Sequence, residues 1–214
     1  ILSGLVGSEM CIRDSSYTGP VLARIIDRDS GSDYADEATG TQKDLAGDLR
    51  TMFVSPSGVQ TIRISVNPIS ELAVRELGLS SGDNGLSSIK ASNLTAAQVN
   101  AANVKVAKAF GLDGDATQVA IAVINQDGTS NTGANAVGVA LASLSGLDKL
   151  YAGSGDYLAK VAAAVASGDA DRITALRIAG ATVADSSGQL LAGLAKTDAS
   201  ICLLYTSDAA DDSL

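Results

Sequence analysis

The sequence predicts an α+β fold: an N-terminal, partial antiparallel β segment followed by a small Ala-rich helical bundle. Three observations carry this. Before residue 67, short β-branched runs are separated by turn residues. After it, apolar residues recur at helical spacing. The change falls at Asn67-Pro68-Ile69-Ser70-Glu71-Leu72-Ala73-Val74-Arg75-Glu76-Leu77, which has the chemistry of a helix start. Asn67 is a good N-cap, because its side chain can accept from the amides of the first turn. Pro68 then falls at the first helical position, where its missing N–H costs nothing. Ile69, Leu72, Ala73 and Leu77 share one face. Glu71 precedes Arg75 by four residues, the favourable order for an ion pair. Gly78 suits the left-handed conformation that closes a helix.

Taken in order, Pro20 to Ile26 reads as a strand and Asp27 to Asp33 as a polar loop. Tyr34 to Thr41 is compatible with a short strand. Asp48 to Val54 and Val59 to Val66 read as a hairpin joined by Ser55-Pro56-Ser57-Gly58. Ile62, Ile64 and Val66 share one face of its second arm. Beyond the Asn67 helix, Leu79 to Asn93 is a loop. The next helix is the best specified in the chain. Thr95 and Gln98 form a capping box, with Leu94 and Val99 at the staple positions. Val99, Ala102, Val106 and Phe110 make its buried stripe, and Gly111 its stop. Further helices are expected at about Ala134–Leu147, Asp156–Ser167, Asp171–Ile178 and Gln189–Lys196.

The two ends read differently. Met10-Cys11-Ile12-Arg13-Asp14-Ser15 can be written back as ATG TGT ATA AGA GAC AG and one further base. The reverse complement, read one frame over, encodes Cys-Leu-Leu-Tyr-Thr, the peptide Cys202 to Thr206. One inverted DNA element encoding both borders resembles the transposon-end adapters of sequencing libraries. Residues 1–15 and 202–214 are therefore expected to be adapter-derived and are set aside from fold reasoning. The intervening segment is expected to be an internal slice of a longer protein. Residues 16–66 are read as the C-terminal part of a β domain and 67–201 as a helical domain.

The chain carries 15 Lys and Arg against 24 Asp and Glu, a net charge of −9. Without Arg13, Glu9, Asp14, Asp208, Asp211 and Asp212, the balance is 14 against 19, or −5. Nucleic acid and anionic membrane both select basic surfaces, so neither is an expected partner. Both cysteines, Cys11 and Cys202, fall in the adapter segments, and histidine is absent. Thiol and imidazole catalysis, structural zinc and haem ligation are thereby excluded for residues 16–201. Aromatic residues make up 3% of the chain, so the core falls to Val, Leu, Ile and Ala. The run Ala134 to Leu147 is interrupted by polar residues and glycines and is too short to span a bilayer.

Three constellations have candidate chemistry. Asp27, Asp29 and Asp33 place carboxylates at alternate positions in the loop after the first strand, which suits calcium. The EF-hand pattern fails there, since Ser32 holds the glycine position and Ala38 the final glutamate position. Val119 to Ile124, a Gly128–Gly138 loop and a following helix imitate a strand–phosphate loop–helix unit. Gly133 and Gly138 have Walker spacing, yet Val139 stands where lysine belongs. The acidic pairs Asp36–Glu37 and Asp169–Asp171 are weighed as glycosidase carboxylates, without an aromatic platform for sugar. Asp169 and Asp171 read better as helix caps.

Val66 to Ala73, Asn100 to Val104 through Phe110-Gly111-Leu112, and Val139 to Asp148 together resemble a helical module of large bacterial surface proteins. Gly19-Pro20-Val21-Leu22 and Tyr34 to Gly40 resemble the β segment, Ig-like or similar, that precedes it in these adhesin-like proteins. The resemblance implies a non-catalytic structural or adhesive module of an exported, multi-domain protein at the cell surface or secreted. Its implied partners are neighbouring domains of the same chain. It implies no cofactor and supplies no catalytic residue. A calcium-stabilised ligand-binding module and a nucleotide-binding enzyme fragment are the alternatives.

Overall fold

The computed structural model describes residues 9–10, 17–26, 31–32, 34–36, 41–45, 48–57, 62–79, 93–115, 117, 136–152 and 157–184. Among the described residues the fold is α+β, with short antiparallel pairs followed by five helices. The strands are β1 (Glu9–Met10), β2 (Pro20–Ile25), β3 (Tyr34–Asp36), β4 (Thr41–Lys43), β5 (Leu49–Val54) and β6 (Ile62–Arg63). The helices are α1 (Pro68–Glu76), α2 (Ala96–Ala109), α3 (Ala136–Leu150), α4 (Tyr157–Ser167) and α5 (Ala170–Ala184). Two compact units are present. One comprises Leu2–Ala35 and Gln42–Ala120; the other takes Ile1, Asp36–Thr41 and Ile121–Leu214. The junction expected at Val66 and Asn67 falls inside the first unit.

The expected hairpin between Asp48–Val54 and Val59–Val66 is replaced by a longer-range pairing. Strand β5 pairs antiparallel with β2, from Pro20 opposite Val54 to Ile25 opposite Leu49. Strand β6 pairs instead with β1, Glu9 opposite Arg63 and Met10 opposite Ile62. The reason lies in β5 itself. Leu49, Met52 and Phe53 are buried, so both of its faces carry apolar side chains out of water. Such a strand belongs inside the unit, and a local turn signal does not outweigh that burial. Strand β3 pairs with β4.

Helix α1 forms as its sequence dictates. Asn67 has extended backbone and accepts from the amides of Ile69 (2.8 Å) and Ser70 (3.0 Å). Ser70 completes the box by accepting from Asn67 N at 2.9 Å. Gly78, at φ 79°, makes the left-handed exit. Ile69, Leu72 and Ala73 are buried as their spacing requires, and Val74 is buried with them. Helix α2 has the expected Thr95–Gln98 box. Its stripe of Val99, Ala102, Val106 and Phe110 is buried, and Gly111 has φ 67°. Met52, Val74, Leu79 and Val99 form one core cluster, flanked by Leu22, Val54, Leu77 and Leu94. The β2–β5 pair thus supplies one layer and the two helices the other.

In the second unit, α3 is buried from Val137 through Leu147. A helix apolar all round belongs at the centre of its unit. Helix α5 crosses it at very short range. A Cβ on Gly146 would collide with the Gly180 carbonyl, and one on Gly180 with the Ser143 carbonyl. Ser143 Oγ donates to Arg177 O at 2.6 Å in the same crossing. The turn between α4 and α5 uses Gly168 at φ 69°. Asp169 then caps α5, accepting from Arg172 N at 2.9 Å. The helix expected at Gln189–Lys196 lies outside the described residues.

Candidate functional site

Among the described residues, a concentration of buried charge lies between β5 and α1. Strand β5 places Arg50 on the same face as Met52 and Val54, directed at the helix. Helix α1 presents Glu71 in its first turn. The Arg50 side chain is 4% exposed and that of Glu71 is 1% exposed. Arg50 Nη2 donates to Glu71 Oε1 at 2.7 Å, and Nε donates to Oε2 at 3.0 Å. The backbone amide of Arg50 also donates to Oε2, at 3.1 Å. Arg75 Nε reaches Oε1 at 3.0 Å from the next turn of the helix. Arg50 Nη2 further donates to the carbonyl of Leu79 at 3.0 Å.

These contacts decide what Glu71 can do. An ionised carboxylate has about four acceptor sites. Glu71 uses four, two at each oxygen. No lone pair is left to coordinate a metal or take a substrate proton. The arrangement is a cross-link between strand and helix, held by charge-assisted bonds.

A second polar cluster joins α2 to the same strand. Asn103 Nδ2 donates to Met52 O at 3.0 Å and lies 3.4 Å from Asp115 Oδ2. Asp115 Oδ1 accepts from Thr117 N (2.9 Å) and Thr117 Oγ1 (2.7 Å). Thr117 O in turn accepts from Ser65 N at 2.7 Å.

Together the clusters engage part of one edge of β5. Ser55 N donates to Gly19 O at 2.9 Å, extending the β2–β5 ladder by one bonded pair. Antiparallel alternation then turns the polar backbone groups of Arg50 and Met52 away from β2. Side chains satisfy three of these four groups: Glu71 takes Arg50 N, Ser70 Oγ donates to Arg50 O at 2.8 Å, and Asn103 serves Met52 O.

The residues singled out in the sequence fare differently. Asp27, Asp29 and Asp33 lie outside the described residues, as does most of the Gly128–Gly138 loop. Gly138 itself is buried within α3. Asp36 is in β3, and Glu37 lies outside the described residues. Asp169 is a cap, and Asp171 stands in the first turn of α5. Among the described residues, no three acidic, Cys or His side chains gather as a metal site would need. No helix among them is long and apolar enough to cross a membrane. Arg50 went unremarked in the sequence. Its signal was a single cation in an otherwise uncharged strand, sharing a face with Met52 and Val54. The Glu71–Arg75 pair was legible, but its burial was not.

Comparison with protein-family models, with curated proteins and with solved structures gave no match.

Proposed function

We propose that this chain is a non-catalytic structural or adhesive module of a larger exported bacterial surface protein. The observation that carries the reading is the closed Arg50–Glu71–Arg75 cluster. Among the described residues of the first unit, this buried charged cluster is spent on cohesion, with its acceptors filled from within. Such a module works by holding a shape and a spacing. Its partners are neighbouring domains of the same polypeptide and an extracellular surface.

The test is to read the gene outward across both ends in DNA from the same source. The expected result is an export signal at the start of the open reading frame and repeated β domains flanking residues 16–201. A fused catalytic domain, or an uninterrupted native reading frame through residues 1–15 and 202–214, overturns the reading.

A further inference from the structure

The sequence contains a single Asn-x-Ser/Thr triplet, Asn93-Leu94-Thr95. This is the acceptor pattern for N-linked sugars, and it requires a surface position. The structure supplies that position. Asn93 is exposed in the turn before α2, and Thr95 is exposed at its N-cap. Thr95 has extended backbone, φ −92° and ψ 157°. Leu94 between them packs inward against the cluster of Met52, Val74, Leu79 and Val99. The apolar middle residue anchors the triplet while the two polar residues stay at the surface. Among the described residues the Thr95 hydroxyl is engaged by Gln98 alone, accepting from its backbone amide at 3.3 Å and donating to its Oε1 at 2.9 Å. An exposed contact of this kind exchanges with an incoming group at small cost.

From this geometry we infer that Asn93 is the acceptor for an N-linked glycan. The donor is a sugar activated as an anomeric phosphate ester, on a nucleotide or on a lipid pyrophosphate. The bond between Asn93 Nδ2 and the sugar C1 forms. The bond from C1 to the phosphate oxygen breaks, and the phosphate leaves with the electron pair. The amide proton passes to a base of the transferase. A glycan here stands at the entrance of α2, outside the core. The chemistry does not depend on the module reading, because acceptor competence is read on the purified chain.

The experiment incubates the folded chain in two arms. One holds a soluble N-glycosyltransferase with a nucleotide sugar, the other a membrane oligosaccharyltransferase with a lipid-linked oligosaccharide. Intact mass and peptide mapping are the readouts. One added glycan on Asn93 in either arm is expected, and the active arm identifies the donor class. Asn93→Gln should abolish the added mass while leaving the far-ultraviolet circular dichroism unchanged. Thr95→Ser should retain it. An unmodified chain in both arms, alongside a modified control acceptor protein, overturns the proposal. So does added mass that survives Asn93→Gln.

Discussion

Arg50 and Glu71 meet through a two-point ion pair, 2.7 Å and 3.0 Å, with both side chains almost entirely out of water. The partners are 21 residues apart, one on a strand and one on a helix. Removing one member leaves the other as an uncompensated buried charge. Glu71→Ala is therefore expected to destabilise the first unit by about 3–5 kcal/mol. Glu71→Gln keeps the shape and some bonds, so it should cost less. Urea unfolding followed by circular dichroism measures both. A loss under about 1 kcal/mol for Glu71→Ala, as for an exposed pair, contradicts the burial described.

The two capping boxes make a matched comparison. Asn67 is wholly buried, and its Oδ1 receives two amides. Among the described residues its Nδ2 has no hydrogen-bond partner, so the effect of a substitution falls on the oxygen. Asn67→Ala should cost about 1–2 kcal/mol, because the amides it serves are shut off from water. Thr95 is exposed, and water can replace its oxygen. Thr95→Ala should cost about 0.5–1 kcal/mol. Equal losses in urea titrations would show that burial does not separate the two caps.

Glycine substitutions separate two physical causes. Gly78→Ala meets no atom of the described residues within 4 Å, so its cost is the left-handed backbone, about 1 kcal/mol. Gly146→Ala and Gly180→Ala force a methyl group into a facing backbone carbonyl, which cannot rotate aside. Each should cost at least about 1–3 kcal/mol. Amide hydrogen exchange should show the loss in α3 and α5. Unchanged protection there would mean that the helices are further apart than described.

Asn103→Ala removes the donor that satisfies Met52 O. An unserved buried carbonyl costs about 1–3 kcal/mol. The readout is thermal melting, with faster amide exchange expected along β5. No change in either would mean that the carbonyl is served by another group.

Calcium tests the loop alternative. A site with Kd of about 10⁻⁴ M, at about 10 mM calcium, would add about 2.7 kcal/mol. The expected result is an unchanged melting temperature with and without the metal. A rise of several degrees that disappears in Asp29→Asn would favour the Asp27, Asp29 and Asp33 loop as a calcium site.

The parts legible in the sequence were those decided within four residues. Asn67 with Pro68, Thr95 with Gln98, and Gly78 and Gly111 each declare a helix end through local chemistry. The helical stripe of α2 was legible for the same reason, since its period is written in consecutive turns. Strand pairing was not. The Ser55-Pro56-Ser57-Gly58 turn points forward along the chain, while β5 takes its partner from residues 20–25. Nothing local distinguishes these choices, because burial of both faces of β5 depends on what packs there. The Glu71–Arg75 spacing resembles a surface pair until Arg50 is placed beside it. Gly146 and Gly180 read as small residues in Ala-rich helices, and only the crossing gives them a role.

The engaged margin of β5 has a consequence for how the molecule behaves in a crowded solution. Its outward Arg50 amide and the Arg50 and Met52 carbonyls are already taken by Glu71, Ser70 and Asn103. A foreign backbone arriving at these residues finds those groups occupied. Fibrous growth along this strand must first pull α1 and α2 away, so the helices serve as guards against unwanted neighbours.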